Sequence, residues 1–349
     1  MAMRRRMIGA TAFAGAAAGS IALGIVAQRR ALADVAPVEG TEWADLHRPI
    51  DGRPVAVAAG DGTRLHAEVL GPDDAPTILL AHGYALSQHA WHHQRRALSA
   101  RYRVVAYDQR GHGGSAEAAT GDYSMRALGR DVAAVLAATT RPAEPVVLVG
   151  HSMGGMSILS FADQHPGELA RVAGVGLVST AGGNVLAGGA FSVGAGALSA
   201  LRTRVPGLRR RPHTEGRSDD PTDWTATPPT DLFFLLTRWI GLSPDADPAH
   251  VAFTEQLMTQ CPRRVTAALG PTLTSLRLAH VAARLGMPGV VLVGDADRLT
   301  PIGQARRLAG DMPDAQLVIL PGAGHMAPLE AHEQVSAELL ALADRALLV

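Results

Sequence analysis

One serine, one histidine and a pair of aspartates sit in this chain where nucleophilic acyl transfer would need them. Ser152 lies in Gly150-His151-Ser152-Met153-Gly154, directly after the apolar run Val146-Val147-Leu148-Val149 and directly before a helix-prone stretch, Met153 to Gln164. A buried strand entering Gly-x-Ser-x-Gly and leaving as a helix is the context of a nucleophile elbow, a tight strained turn that lifts a serine hydroxyl above a sheet. The glycines at 150 and 154 fit that reading, because a Cβ at either place would strike the turn or the packed helix. A serine hydroxyl is a weak nucleophile alone, so a base and a group that orients the base must accompany it.

The C-terminal third supplies both. Gly289 to Val293 reads as a buried strand and runs into Gly294-Asp295-Ala296-Asp297-Arg298-Leu299-Thr300-Pro301; Gln316 to Leu320 reads as another and ends in Pro321-Gly322-Ala323-Gly324-His325. Each candidate therefore falls in a loop at the C-terminal end of a strand, the edge where open α/β sheets place their sites. Small residues around His325 leave its imidazole room to turn toward Ser152. Of the two carboxylates Asp297 is favoured as the orienting acid. Thr300 can cap a helix whose first turn holds Pro301, which leaves Asp297 in the loop mouth and Asp295 as a turn residue. For the oxyanion the expected donors are the backbone N–H groups of Met153 and of Tyr84, the latter in His82-Gly83-Tyr84 after the strand Thr77–Ala81.

These elements form a pattern. Val55–Ala58 and Leu65–Leu70 read as an antiparallel hairpin, and Thr77–Ala81, Val104–Tyr107, Val146–Val149, Val172–Val178, Val290–Val293 and Gln316–Leu320 as six parallel strands. Helices are expected near Trp91–Ala100, Met125–Ala138, Met153–His165, Pro301–Ala309 and His332–Leu347, covering both faces. His82-Gly83-Tyr84, Tyr107-Asp108-Gln109-Arg110-Gly111-His112-Gly113-Gly114-Ser115, Gly150-His151-Ser152-Met153-Gly154-Gly155, Asp297 and Gly324-His325 together resemble the α/β-hydrolase family, from about Asp61 to the C-terminus outside the region between strands 6 and 7. Within it the chain is similar to bacterial serine esterases and cofactor-free haloperoxidases. The resemblance implies a mostly parallel eight-stranded sheet with helices on both faces and a helical cap inserted after strand 6. The order Ser, Asp, His follows the family's order. Asp108 to Ser115 is then a structural turn beside the site. A serine at 152 argues against the dehalogenase and epoxide-hydrolase branches, which carry aspartate there.

The implied domains are a signal or membrane-anchor segment at 1–33, a linker at 34–54, core at 55–180 and 286–349, and the cap at 181–285. A stretch as long as 181–285 without strand rhythm is too long for a structureless loop. Its most apolar part, Asp231 to Ile240, holds Phe233, Phe234 and Trp239, expected to line an acyl pocket, to pack the cap on the core, or both. Leu208-Arg209-Arg210-Arg211 reads as a solvated loop, with anionic lipid as the alternative partner.

Composition excludes several classes. Lys+Arg and Asp+Glu both number 32, every base is arginine, and no basic footprint points to nucleic acid. A single cysteine, Cys261, rules out an intramolecular disulfide and a cysteine metal cluster. No phosphate loop or His-Glu-x-x-His motif appears; His89, His92 and His93 read as a solvated helix face, so neither metal nor cofactor is expected. Arg4-Arg5-Arg6 precedes an uncharged apolar stretch, Met7 to Ala27, and Ala31-Leu32-Ala33 has the small-x-small form of a cleavage site. Export or membrane anchoring follows as the expectation, with a cytoplasmic arm as the alternative and a membrane contact through that segment. Arg5-Arg6-Met7-Ile8 matches a twin-arginine signal only in part.

The expected activity is hydrolysis of a small-molecule or lipid carboxylic ester. Perhydrolysis with haloperoxidase-type behaviour, or carbon–carbon or amide hydrolysis, could run on the same triad. A non-catalytic ligand receptor is the alternative of a different class.

Overall fold

The computed structural model describes residues 40–183 and 237–347. Eight strands, β1 (Arg53–Ala58), β2 (Arg64–Leu70), β3 (Thr77–Ala81), β4 (Arg103–Tyr107), β5 (Val146–His151), β6 (Val172–Val178), β7 (Gly289–Gly294) and β8 (Ala315–Leu320), form one sheet in the order β1-β2-β4-β3-β5-β6-β7-β8. β1 and β2 form the antiparallel hairpin and β2 meets β4 antiparallel; from β4 to β8 all neighbours are parallel. This is the expected α/β-hydrolase arrangement.

Burial on both faces explains the unbroken apolar runs of the central strands. Along β3, Leu79 and Ala81 enter one core with the helices Met125–Thr139, Met153–Gln164 and Ile302–Asp311. Ile78 and Leu80 enter the other, with the helices His92–Ser99 and His332–Leu347. Successive side chains thus serve opposite layers, as the period of an extended strand dictates. A third cluster lies beyond the sheet. It joins Leu46 to Leu86, Leu242, Phe253, Leu257, Met326 and Leu329, and so ties the N-terminal described segment to the loop after β8.

Three sequence expectations change. The reading of 34–54 as a linker does not hold over its described part, where Thr41 caps a helix, Glu42–Leu46, through the Ala44 N–H. The helix docks by Leu46, which has almost no exposure. Secondly, His89, His92 and His93 do not form a solvated face: His92 is buried, and the other two are half-buried or less exposed. The cover of His92 and His93 comes from Glu42–Leu46 and His332–Leu347, distant in sequence and therefore invisible to local pattern. Thirdly, Thr300 caps no helix. Pro301 is the cap residue of Ile302–Asp311, and the Thr300 hydroxyl is engaged elsewhere.

Between β6 and β7 the described residues form helices Pro248–Gln260 and Arg263–Thr274 and a 3₁₀ turn, Ala279–Arg284. Phe233, Phe234 and the arginine run 209–211 lie outside the described residues, as do residues 1–33. Among the described residues no helix is long and apolar enough to cross a membrane. Cys261 is buried, and burial pushes its thiol up to about 12.

Candidate active site

Ser152 sits between β5 and the helix Met153–Gln164 with φ +51° and ψ −118°, a backbone conformation that a non-glycine residue adopts only at a cost. The turn is over-determined. Its N–H donates to the Val178 carbonyl at 2.9 Å, and its own carbonyl accepts from Gly155, Met156 and the Thr180 hydroxyl. A Cβ on Gly154 would stand 2.1 Å from the Ala81 carbonyl oxygen, so the helix can lie against β3 only with glycine there.

His325, in the loop after β8, places Nε2 2.9 Å from the Ser152 hydroxyl oxygen. Its other ring nitrogen, Nδ1, is 3.0 and 3.2 Å from the two carboxylate oxygens of Asp297. Asp295 is not part of this set: its carboxylate accepts the Gly322 N–H at 2.8 Å and shapes the neighbouring turn. The three groups are shielded, with relative exposures of 9%, 7% and 4% for Ser152, His325 and Asp297. Burial alone would raise the Asp297 carboxyl. The charge of His325 and hydrogen bonds from His325 and Thr300 outweigh it and hold the group down at about 2. Asp297 is therefore an anion wherever the protein is folded near neutral pH.

Sequence reasoning missed three supporting residues. Thr300 donates its hydroxyl to Asp297 Oδ2 at 2.8 Å and its N–H to Oδ1 at 2.9 Å; the Leu299 N–H adds another at 2.9 Å. Either aspartate could bond the N–H groups two and three residues on in an Asx turn, but only Asp297 is followed three residues on by a hydroxyl, that of Thr300. Glu330 accepts from the N–H groups of Gly324 and Met326, both at 3.1 Å, which bracket His325, and from Ser243 at 2.7 Å. Burial raises its carboxyl and those amide bonds oppose the rise. Nothing local in the sequence marks it. His151 donates Nε2–H to the His325 carbonyl at 2.9 Å; burial pushes its ring down to about 3 and keeps it neutral.

Tyr84 follows His82 and Gly83 in the loop after β3. His82 fixes that loop: its Nδ1–H donates to the Gly83 carbonyl at 2.7 Å and its Nε2 accepts the Gln109 N–H at 2.9 Å. The Asp108–Ser115 turn braces it further, since His112 Nε2 accepts the Ala85 N–H and the Asp108 carboxylate accepts from Gln88 and Gly114. Arg110 forks onto Asp131 with two bonds of 2.6 Å. The N–H groups of Tyr84 and Met153 have no acceptor among the described residues. That of Met153 is one of the orphan donors every helix N-terminus leaves. The Tyr84 hydroxyl donates to the Thr266 carbonyl at 2.9 Å, in the helix Arg263–Thr274. Trp239 is 48% exposed, and its carbonyl accepts from Arg298 beside the Asp297 loop.

Comparison with known proteins agrees with this architecture. A model of the alpha/beta hydrolase family matches residues 78–338. The candidate carbamate hydrolase RutD of Variovorax paradoxus (strain S110) is 31% identical over 271 residues, covering 75% of this chain and 89% of its own. A non-heme chloroperoxidase of Streptomyces lividans is 37% identical over 117 residues, 33% of this chain and 41% of its own. The crystal structure of the esterase RhEst1 from Rhodococcus sp. ECU1013 superposes with a TM-score of 0.62 at 23% identity, over 84% of this chain and 99% of that one.

Proposed function

The chain belongs to the alpha/beta hydrolase family, and we propose that within it this protein is a serine hydrolase of carboxylic esters. The observation that carries the proposal is the unbroken relay from the Ser152 hydroxyl through both nitrogens of His325 to Asp297. In the proposed cycle His325 takes the Ser152 proton as the hydroxyl oxygen attacks the ester carbonyl. The Tyr84 and Met153 N–H groups hold the oxyanion; losing one such donor would cost about 3–4 kcal/mol of transition-state stabilisation. His325 then protonates the departing alcohol, and in the second half activates the water that cleaves the acyl-enzyme. Asp297 fixes the imidazole's tautomer and stabilises its charged form. Neither metal nor cofactor is required by these steps.

The helices between β6 and β7 act in this proposal as part of a cap. Ser243 and Gly241 reach the His325 loop through Glu330 and Met326, and Thr266 reaches Tyr84, so this segment touches both sides of the site. Trp239 is proposed at its rim, with Phe233 and Phe234 completing an acyl pocket. The pattern of residues 1–33 supports export or anchoring, which fractionation of cells expressing the full chain with and without that segment would test.

The experiment for the main proposal is hydrolysis of p-nitrophenyl esters from acetate to palmitate by the full chain, with Ser152→Ala as control. Serine-dependent turnover supports the assignment, and the optimal chain length reports the pocket. A folded protein without turnover on any ester would reject it. The similarity to the Variovorax relative supports a second reading, cleavage of a carbamate or amide by the same acyl transfer. The chloroperoxidase similarity supports perhydrolysis; peroxide-dependent bromination faster than ester hydrolysis would favour that reading.

A further inference from the structure

Away from Ser152, the fold gathers Glu42, His93 and His332 from three separate helices: Glu42–Leu46, His92–Ser99 and His332–Leu347. One nitrogen or oxygen from each of the three lies within 4.8 Å of the others. His93 Nε2 stands 3.0 Å from Glu42 Oε1, and the His332 ring stacks on that of His93 with centroids 3.8 Å apart and planes at 17°. All three side chains are partly exposed, so an ion can reach them. From the helix Pro248–Gln260, His250 Nε2 comes to 3.0 Å from the same oxygen of Glu42. No spacing in the sequence reveals this set, because Glu42 and His332 are brought together only by the folded chain.

We propose that Glu42, His93 and His332 form a binding site for a divalent transition cation of the zinc type. Two imidazoles and one carboxylate are the donor set that zinc favours over magnesium or calcium. Ligands about 2.0–2.1 Å from a tetrahedral zinc stand about 3.3 Å apart. The His93–Glu42 separation of 3.0 Å is already close to that. His332 offers a ring nitrogen within 4.8 Å of both partners, and it must turn out of its stack on His93 to coordinate. The ion takes the place on Nε2 that the shared hydrogen holds between His93 and Glu42, and the ring coordinates as the neutral tautomer that carries its N–H on Nδ1. His250, still bonded to Glu42, orients the carboxylate, and water fills the fourth position. The bound ion would staple the Glu42–Leu46 helix to the two helices on one face of the sheet, a role separate from ester hydrolysis at Ser152.

The test is calorimetric titration of chelator-stripped, full-length protein with zinc chloride alone. One zinc per chain is expected, with at least tenfold weaker binding in Glu42→Gln and in His332→Ala. His280→Ala, which removes an exposed histidine bonded to Asp163 elsewhere, should bind as wild type does. Cobalt(II) added to the wild type should give the intense visible bands of a tetrahedral site, a readout that depends on no variant. Absence of stoichiometric binding, binding unchanged in both ligand variants, or purely octahedral cobalt spectra would each overturn the proposal.

Discussion

Thr300 holds Asp297 by both of its donors, hydroxyl to Oδ2 at 2.8 Å and N–H to Oδ1 at 2.9 Å. Asp297 in turn faces His325 Nδ1 with both oxygens, while the Thr300 hydroxyl itself comes to 3.3 Å from that nitrogen. The Asp297 carboxylate is thus aimed at His325 by its own turn. Thr300→Val keeps the shape and the backbone bond but removes the hydroxyl. It should lower kcat about tenfold with little change in KM, read from initial rates on a p-nitrophenyl ester.

The two aspartates of the loop should separate sharply. Asp297→Asn leaves the turn intact but favours the wrong histidine tautomer, a change worth on the order of 10⁴ in kcat at such a site. Asp295→Asn disturbs only a bond to the Gly322 N–H and should cost less than about tenfold. Equal losses, or the reverse order, would remove Asp297 from the orienting role.

Stability should depend on pH through Asp297 with a definite sign. Its folded carboxyl sits at about 2, below the ordinary 3.8 of an unfolded chain. Its contribution is therefore complete above the unfolded value and is lost as pH falls toward the folded one. Urea midpoints measured between pH 5 and pH 3 should fall more steeply for wild type than for Asp297→Asn. Parallel curves would contradict the assignment.

Glu330 is expected to act on rate through position. Glu330→Ala frees the N–H groups of Gly324 and Met326 on either side of His325, as well as that of Ser243. We expect kcat to fall roughly 10- to 100-fold, with partial rescue by Glu330→Gln, which keeps one carbonyl oxygen as acceptor. A change confined to thermal stability, with kcat intact, would limit Glu330 to a structural role.

Gly154→Ala should damage the fold itself. The added methyl would lie 2.1 Å from the Ala81 carbonyl oxygen, a backbone atom that cannot swing away. Overpacking of this kind costs on the order of 1–3 kcal/mol or more, so the midpoint of thermal unfolding should drop by several degrees.

Much of this was legible in the chain because the relevant signals are local. β3, β5 and β7 are buried apolar runs, and each ends in a loop bearing Gly, Ser or Asp at its C-terminal edge, so strands and site candidates come from the same stretches of sequence. What escaped depends on distant partners. Glu42 meets His250 across 208 positions, and His92 and His93 are covered by helices from both ends of the chain. Glu330 bonds Ser243 across 87 positions, a link no periodicity records. Thr300 was misread for another reason: a threonine before proline satisfies a helix cap and an Asx turn equally well on paper, and the competition is decided by the buried charge of Asp297.

The central claim, that Ser152 is the nucleophile, is tested most directly by trapping the acyl-enzyme. The full chain would be mixed with excess p-nitrophenyl acetate, quenched in acid within the burst, digested and mapped by mass spectrometry. An acetyl group on the peptide carrying Ser152, with a p-nitrophenol burst near one per chain and neither seen in Ser152→Ala, is the expected result. Acetylation at another residue, or a burst that survives Ser152→Ala, would contradict it.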